Sequence, residues 1–193
     1  MALQKYSGLP KNKIVGMAGI LDSSRFIYFL SQELKVSVNK IKSFVLGGHG
    51  DSMVAMLGAT IVEGKKITDL VNEGKISKEK LDQIIDRTKK GGAEIVKLLE
   101  KGSAFYAPAA SGVEMAECYL KDLKKQLPCA VYLDGEYGTK DIYAGVPAII
   151  GSKGVEKVIE LDLSAEEKDN FDNSIKAVKE LFDAAKKIDP ELK

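Results

Sequence analysis

The 193-residue sequence contains one histidine and two cysteines, and this scarcity excludes several kinds of site. Cys118 and Cys129 fit no zinc-ligand spacing, and a single histidine cannot complete a zinc set. We therefore expect no metal site. The two thiols are most simply explained as reduced, buried small hydrophobic residues in a reducing compartment.

Long apolar runs and a dominant charge are also missing. The N-terminal segment Met1–Tyr6 lacks the apolar core of a signal peptide, and no stretch approaches membrane-spanning length. The formal net charge is +1, with lysines and acids interspersed and no basic stripe that carries interleaved aromatic residues. The sequence thus favours a cytoplasmic globular protein that binds neither a membrane nor a nucleic acid.

Helical and strand-like segments occur in separate runs, which is typical of an α+β fold and not of strict βα alternation. Three strand-like segments separated by glycine turns predict an antiparallel meander, at Ala130–Leu133, Val146–Ile150 and Val155–Leu161. The capping box Ser164–Glu167 then begins a long amphipathic helix. Residues 1–193 fit one large domain or a domain and a half.

The remaining segments give less uniform signals. Ser77 is a predicted N-cap, and Gly91-Gly92 marks a kink, a break or a close backbone approach in the helix that follows. The periodicity of Met53–Val62 does not distinguish strand from helix. A helix over Ala2–Ser7 begins without a cap, which suggests a chain cut from something longer.

The single histidine, His49, lies in a glycine-rich loop that follows the apolar segment Ile41–Leu46. A small molecule could reach an imidazole placed there, and histidine titrates near neutral pH. Histidines at such positions more often have a surface or structural role. A second segment upstream strengthens the catalytic interpretation.

That segment contains Asp22 and Arg25 and reads as a short strand, a glycine turn and a helix. Asp22 is predicted at the helix entrance, where a carboxylate caps free N–H groups. The simplest interpretation is an N-cap with an i,i+3 ion pair. However, only Arg25 and Arg87 are arginines among 29 basic residues, which suggests a need for a planar, forked donor.

Together these residues permit acid–base chemistry. Asp22 bonded to one ring nitrogen of His49 would leave the other nitrogen facing a substrate, while Arg25 grips a carboxylate. This set fits redox chemistry at a 2-hydroxy or 2-oxo acid, for which the hydride carrier is a bound cofactor.

At these residues the sequence resembles the lactate/malate dehydrogenase family. Leu21–Phe26 and Gly47–Ser52 carry the resemblance. Three later segments are similar to the bacterial malate dehydrogenases built on the lactate-dehydrogenase plan: Gly102–Ser111, Leu133–Gly138 and Val146–Gly151. Five motifs in the family's order over nearly the whole chain make chance agreement implausible.

The resemblance implies the family's C-terminal α+β fold, with antiparallel strands packed against long helices. It also implies that His49 is the proton donor and acceptor, Asp22 its orienting partner, and Arg25 the ligand of the substrate carboxylate. Ser103–Pro108 resembles the part that lines the substrate pocket beside the nicotinamide. The implied reaction is NAD-dependent interconversion of malate and oxaloacetate.

The chain departs from the family pattern in what it does not contain. Nothing in residues 1–193 supplies the Rossmann glycine loop that holds the pyrophosphate of NAD. The mobile loop with its arginines and the asparagine of the Asn-Pro motif are absent too. The expectation is a catalytic and substrate half with no nicotinamide site, inactive or weakly active on its own, whose partner is the missing N-terminal half or further copies of itself.

Three alternatives remain open. The chain could be a non-catalytic assembly or interaction module derived from this family, or half of an L-lactate dehydrogenase. A hydrolase based on Ser52 and His49 is a weaker alternative, because Gly50–Val54 lacks the second glycine of a nucleophile elbow.

Overall fold

An antiparallel sheet lies at the centre of the fold in the computed structural model, which describes residues 1–192. Its strands are β2 (Val45–Gly47), β3 (Met53–Ala55), β6 (Lys125–Asp134), β7 (Lys140–Gly151) and β8 (Gly154–Val158), in the order β3-β2-β7-β6, with β8 also paired to β7. The predicted meander is confirmed, although β8 ends three residues before the predicted Leu161. Strand β6 buries the side chains of Leu127, Cys129, Val131 and Leu133. This spacing of two is expected for a strand with one face toward the core.

A second, small sheet consists of β1 (Ile41–Lys42), β4 (Ile61–Val62) and β5 (Lys65–Lys66). The prediction of one apolar segment over Ile41–Leu46 is therefore incomplete, because β1 and β2 belong to different sheets. Between them the buried Ser43 hydroxyl is 2.7 Å from the Thr60 hydroxyl. This polar contact anchors the crossover from one sheet to the other. The ambiguous segment Met53–Val62 forms two short strands, β3 and β4.

Within residues 1–192, six α-helices pack around these sheets: α1 (Ala2–Ser7), α2 (Ala18–Leu34), α3 (Ile67–Asn72), α4 (Lys78–Leu99), α5 (Tyr106–Leu120) and α6 (Ala165–Ile188). The caps predicted at Ser77 and Ser164 are confirmed. The Ser77 hydroxyl accepts a hydrogen bond from the Lys80 N–H, and Ser164 forms the complete capping box with Glu167. Helix α4 continues through Gly91-Gly92, so the predicted break is wrong at this pair and the close approach is the correct alternative.

Helix α2 connects the two hydrophobic clusters of the core. Ile20, near its start, packs in the cluster against the large sheet, whereas Phe26 and Leu30 are fully buried in the cluster around the small sheet. The helix is therefore held at both ends by buried apolar surface. Asp22 and Arg25 lie on the segment between these two anchors, which fixes the backbone that carries them.

No helix within residues 1–192 is long and apolar enough to cross a membrane. All strand pairs described in these residues are antiparallel. A dinucleotide-binding βαβ unit requires parallel strands, so this part of the chain contains none.

Candidate active site

Asp22 is positioned by helix α2, but not as its N-cap. The helix begins at Ala18 with Met17 as its N-cap, so Asp22 lies in the second turn. The predicted capping role of Asp22 is therefore wrong. Its side chain is 2% exposed, and its carboxylate is directed toward His49 instead of the helix N–H groups. A buried carboxylate requires such partners, because desolvation of an unpaired charge is costly.

His49 is delivered by the end of β2. Gly47 pairs with Met53 on β3 and with Gly145 on β7, and the chain leaves the sheet immediately afterwards. Gly47 has φ 86°, a left-handed conformation that favours glycine, and His49 itself is extended. The turn sends the imidazole away from the sheet, where its side chain is 54% exposed.

The three predicted site residues come together. His49 Nδ1 lies 2.7 Å from Asp22 Oδ2, and an Arg25 guanidinium nitrogen lies 3.6 Å from Asp22 Oδ1. The first distance is a good hydrogen bond, whereas the second is an ion pair longer than a hydrogen bond. Asp22 Oδ1 is buried and accepts no hydrogen bond from residues 1–192. The guanidinium of Arg25 is therefore not fully engaged by Asp22.

The electrostatics of this cluster favour the protonated imidazole. The hydrogen bond that the His49 ring donates to Asp22 raises the pKa of His49 above its ordinary value of 6.5, and the charge of Asp22 adds to this effect. Partial burial and the Arg25 charge oppose it. Because Nδ1 faces Asp22, the neutral ring keeps its proton on Nδ1 and presents a free Nε2. That nitrogen can therefore both give and accept a proton.

Arg25 lies against helix α4 at the glycine pair Gly91-Gly92, which is singled out in the sequence analysis. A Cβ atom built on Gly91 would stand 3.1 Å from Arg25 Cδ and 3.3 Å from Arg25 Nε, whereas one on Gly92 would be 3.9 Å from the guanidinium. Gly91 thus provides the surface on which the Arg25 side chain lies. The glycine pair was the available signal, but its partner in space could not be read from the sequence.

The other predicted candidates contribute less to this cluster. A hydrolase based on Ser52 would need a hydrogen bond between Ser52 and His49, and none joins them within residues 1–192. In the segment Ser103–Pro108, the aromatic side chains of Phe105 and Tyr106 are largely exposed and lie 4.6 Å apart between ring centroids. No group of three or more potential metal ligands occurs among the described residues. Cys118 and Cys129 are free and buried.

The fold is an antiparallel α+β fold in which a buried aspartate lies between a histidine and an arginine. Residues 20–188 match the family model described as the lactate/malate dehydrogenase, alpha/beta C-terminal domain. The chain belongs to the lactate/malate dehydrogenase family.

Similar proteins include dehydrogenases of both kinds. A malate dehydrogenase of Pelagibacter ubique (strain HTCC1062) is 66% identical over 192 residues, which cover 100% of this chain and 60% of that protein. The structure of lactate dehydrogenase from Eimeria maxima with NADH and oxamate has a TM-score of 0.93 and 43% identity, over 98% of this chain and 59% of that one.

Malate dehydrogenase from Salinibacter ruber matches with a TM-score of 0.89 and 44% identity, over 97% of this chain and 59% of that one. The expected family and α+β fold are thus confirmed. The chain spans about three fifths of the length of the relatives that it matches.

Proposed function

We propose that this chain supplies the proton-transfer and carboxylate-binding groups of an NAD-dependent malate dehydrogenase. The observation that carries the proposal is the buried Asp22 carboxylate, 2.7 Å from the His49 ring and 3.6 Å from the Arg25 guanidinium. His49, oriented by Asp22, exchanges a proton with the reacting oxygen, and Arg25 binds the carboxylate of the acid. This assignment of roles follows the resemblance of both motifs to the family and agrees with the geometry.

In the direction of oxaloacetate reduction, protonated His49 donates the proton on Nε2 to the oxygen of the C2 carbonyl. The bond from Nε2 to hydrogen breaks, a bond from oxygen to hydrogen forms, and neutral imidazole remains. In malate oxidation the neutral ring removes the hydroxyl proton from the same oxygen. Asp22 holds the ring orientation and stabilises the imidazolium in both directions.

Arg25 is suited to hold the substrate carboxylate. A guanidinium donates two parallel hydrogen bonds to a carboxylate, which fixes orientation as well as position. Its long contact with Asp22 leaves donors available for this task. His49 is exposed, whereas Arg25 beside it is largely buried. The acid could therefore bind with its carboxylate at Arg25 and its reacting carbon at the imidazole.

The nicotinamide of NAD would supply or accept the hydride at C2. The strand pairs of residues 1–192 are all antiparallel, so these residues contain no parallel βαβ unit of the kind that binds a dinucleotide. The proposal therefore assigns NAD binding to another part of the complete enzyme, and it assigns little or no turnover to this polypeptide by itself.

Two further parts of the proposal concern substrate and partners. We propose malate and not lactate as the substrate because a malate dehydrogenase is 66% identical to this chain. Lactate dehydrogenases are also similar. The alternative of an assembly module rests on exposed apolar side chains along α4 and α5, among them Leu98, Tyr106 and Leu120. These would contact the dinucleotide domain or a second copy of the chain. A cytoplasmic location stays a prediction from the two free thiols.

A titration of the chain with L-malate tests the proposal, with the imidazole signals of the only histidine followed by NMR. We expect Arg25→Lys to weaken malate binding about ten-fold or more, since hydrogen bonds to charged groups contribute about 1.5–3 kcal/mol. Arg87→Lys is the matched control, because Arg87 pairs with Glu94 on the surface. Equal affinities in both variants would contradict the role of Arg25. L-lactate in a parallel titration discriminates between the two acids.

A further inference from the structure

The loop that carries His49 is hydrogen-bonded to helix α6. The Ser174 hydroxyl on α6 accepts a hydrogen bond of 2.8 Å from the Gly48 N–H, across 126 residues of sequence. Ser174 is 3% exposed, and its neighbours on the helix, Phe171 and Ile175, are buried in the core. The acceptor is therefore attached to one of the most firmly packed parts of α6.

The same serine also fills the space beside the preceding residue. A Cβ atom built on Gly47 would lie 2.2 Å from Ser174 Oγ and 2.8 Å from Ser174 Cβ, so only glycine fits there. On the other side of the loop, a Cβ on Gly145 would lie 2.7 Å from the Gly47 carbonyl oxygen. Gly47 is thus enclosed between β7 and Ser174 immediately before the chain turns toward His49.

The Gly48 N–H needs this partner because the strand pairing of β2 ends at Gly47. The Gly48 N–H is partly buried, and loss of its acceptor would favour a rearrangement of the loop that recovers a partner. His49 follows directly, and its Nδ1 must stay within hydrogen-bond distance of Asp22. A shift of the Gly48 peptide would therefore lengthen the contact between His49 and Asp22.

We propose that Ser174 is a positioning residue for His49, which it fixes against Asp22 through the Gly48 N–H. The proposal rests on the proposed function for its catalytic meaning, but its geometric content is independent of turnover. Ser174 touches neither the imidazole nor the reacting atoms. It acts through the loop, and it makes the acid–base pair depend on the docking of α6.

The test compares Ser174→Ala with Ser111→Ala in the 193-residue chain. Ser111 is also buried, and its hydroxyl donates a hydrogen bond to the Ala107 carbonyl within α5. In the unmodified chain we expect the Gly48 amide to be protected from hydrogen exchange. Ser174→Ala should accelerate its exchange about ten-fold relative to the Leu46 amide, the scale of one lost hydrogen bond. Ser111→Ala should leave this ratio unchanged.

The titration of His49 provides the second readout. Asp22 and Arg25 are the charged groups that face the ring, and loss of the Asp22 contact should move the pKa of His49 in Ser174→Ala down toward 6.5. Urea unfolding of both variants separates this effect from a general loss of stability. An unprotected Gly48 amide, or equal behaviour of the two variants at Gly48 and His49, would overturn the proposal. If both effects occur but malate does not bind, the proposed function fails and the positioning role stands.

Discussion

At the scale of residues, the two oxygens of the buried Asp22 carboxylate have different partners. One oxygen of Asp22 holds the His49 ring, and the other faces Arg25 at a distance too long for a hydrogen bond. The imidazolium is favoured, yet the guanidinium keeps donors for a ligand. Such a division is suited to transfer of a proton beside a bound carboxylate, which an exposed surface ion pair would not achieve.

Replacement of Asp22 tests this division of roles. Asp22→Asn removes the negative charge that favours the imidazolium and leaves only a neutral amide oxygen as acceptor, so the pKa of His49 should fall from its raised value to 6.5 or below. NMR titration of the single histidine measures this directly. An unchanged pKa in the variant would show that Asp22 does not control the ring.

The pH dependence of stability should change in the same variant. Because the pKa of His49 is raised in the folded chain, its protonation stabilises the fold fully below about pH 6.5. This contribution is lost as the pH rises through the folded-state pKa. Asp22→Asn should flatten the pH dependence of the unfolding free energy in that window. Urea unfolding at several pH values measures this dependence. An unfolding free energy that changes with pH as steeply in Asp22→Asn as in the unmodified chain would contradict the prediction.

At the scale of elements, helix α4 determines how closely the Arg25 side chain can pack. Gly91 is buried, and the Arg25 side chain crosses the helix at this residue. A glycine inside a helix costs about 0.5–1 kcal/mol relative to alanine, so its presence here disfavours α4 itself. The space it leaves for Arg25 is the compensating feature.

The two adjacent glycines form a matched pair of variants. Gly91→Ala and Gly92→Ala should each stabilise α4 by about 0.5–1 kcal/mol from helix propensity, but only Gly91→Ala forces Arg25 to move. We expect Gly91→Ala to weaken malate binding several-fold and Gly92→Ala to leave it unchanged. Thermal unfolding and the malate titration measure both quantities. Equal affinities would mean that α4 does not position Arg25.

Elements with a strong repeating pattern could be predicted from the sequence, and irregular ones could not. The capping box at Ser164 and the meander of β6 to β8 were predictable because local hydrogen bonds and alternation encode them. The split of Ile41–Leu46 between two sheets depends on the contact of Ser43 with distant Thr60. The start of α2 at Ala18 was missed because its N-cap, Met17, makes no side-chain cap bond.

For the site, the motifs gave the residue identities and the structure gave their relationships. His49, Asp22 and Arg25 are predicted because their residue types permit one chemistry and because the two motifs that contain them resemble the family. Gly91 and Ser174 were not, since their importance arises only from what packs against them. No local pattern marks a serine on α6 as the partner of a loop 126 residues earlier.

At the scale of the whole molecule, residues 1–192 bring Asp22, Arg25 and His49 together in a fold whose described strands form no parallel βαβ unit. Two core clusters and antiparallel sheets hold the three site residues, and the helices α4 and α5 expose apolar side chains such as Leu98 and Leu120. The relatives are longer, and this chain covers about three fifths of them. The proposed function therefore places substrate binding in this chain and cofactor binding in another part of the enzyme.

Calorimetric titration with NADH tests that division. We expect no measurable binding to the 193-residue chain, because its described strands form no parallel βαβ unit. A parallel assay with oxaloacetate should give no turnover above that of a His49→Asn variant. Saturable NADH binding, or turnover that is lost with His49, would contradict the assignment of the cofactor site to another part of the enzyme.

The most direct test of the central claim is the pKa of His49, measured by NMR with and without saturating L-malate. The account predicts a pKa above 6.5 in the free chain, because Asp22 holds Nδ1. It predicts a further rise with malate, since a bound anion beside the ring favours the imidazolium. A pKa at or below 6.5 that malate leaves unchanged would contradict the claim that Asp22, Arg25 and His49 form an acid–base site for a small carboxylic acid.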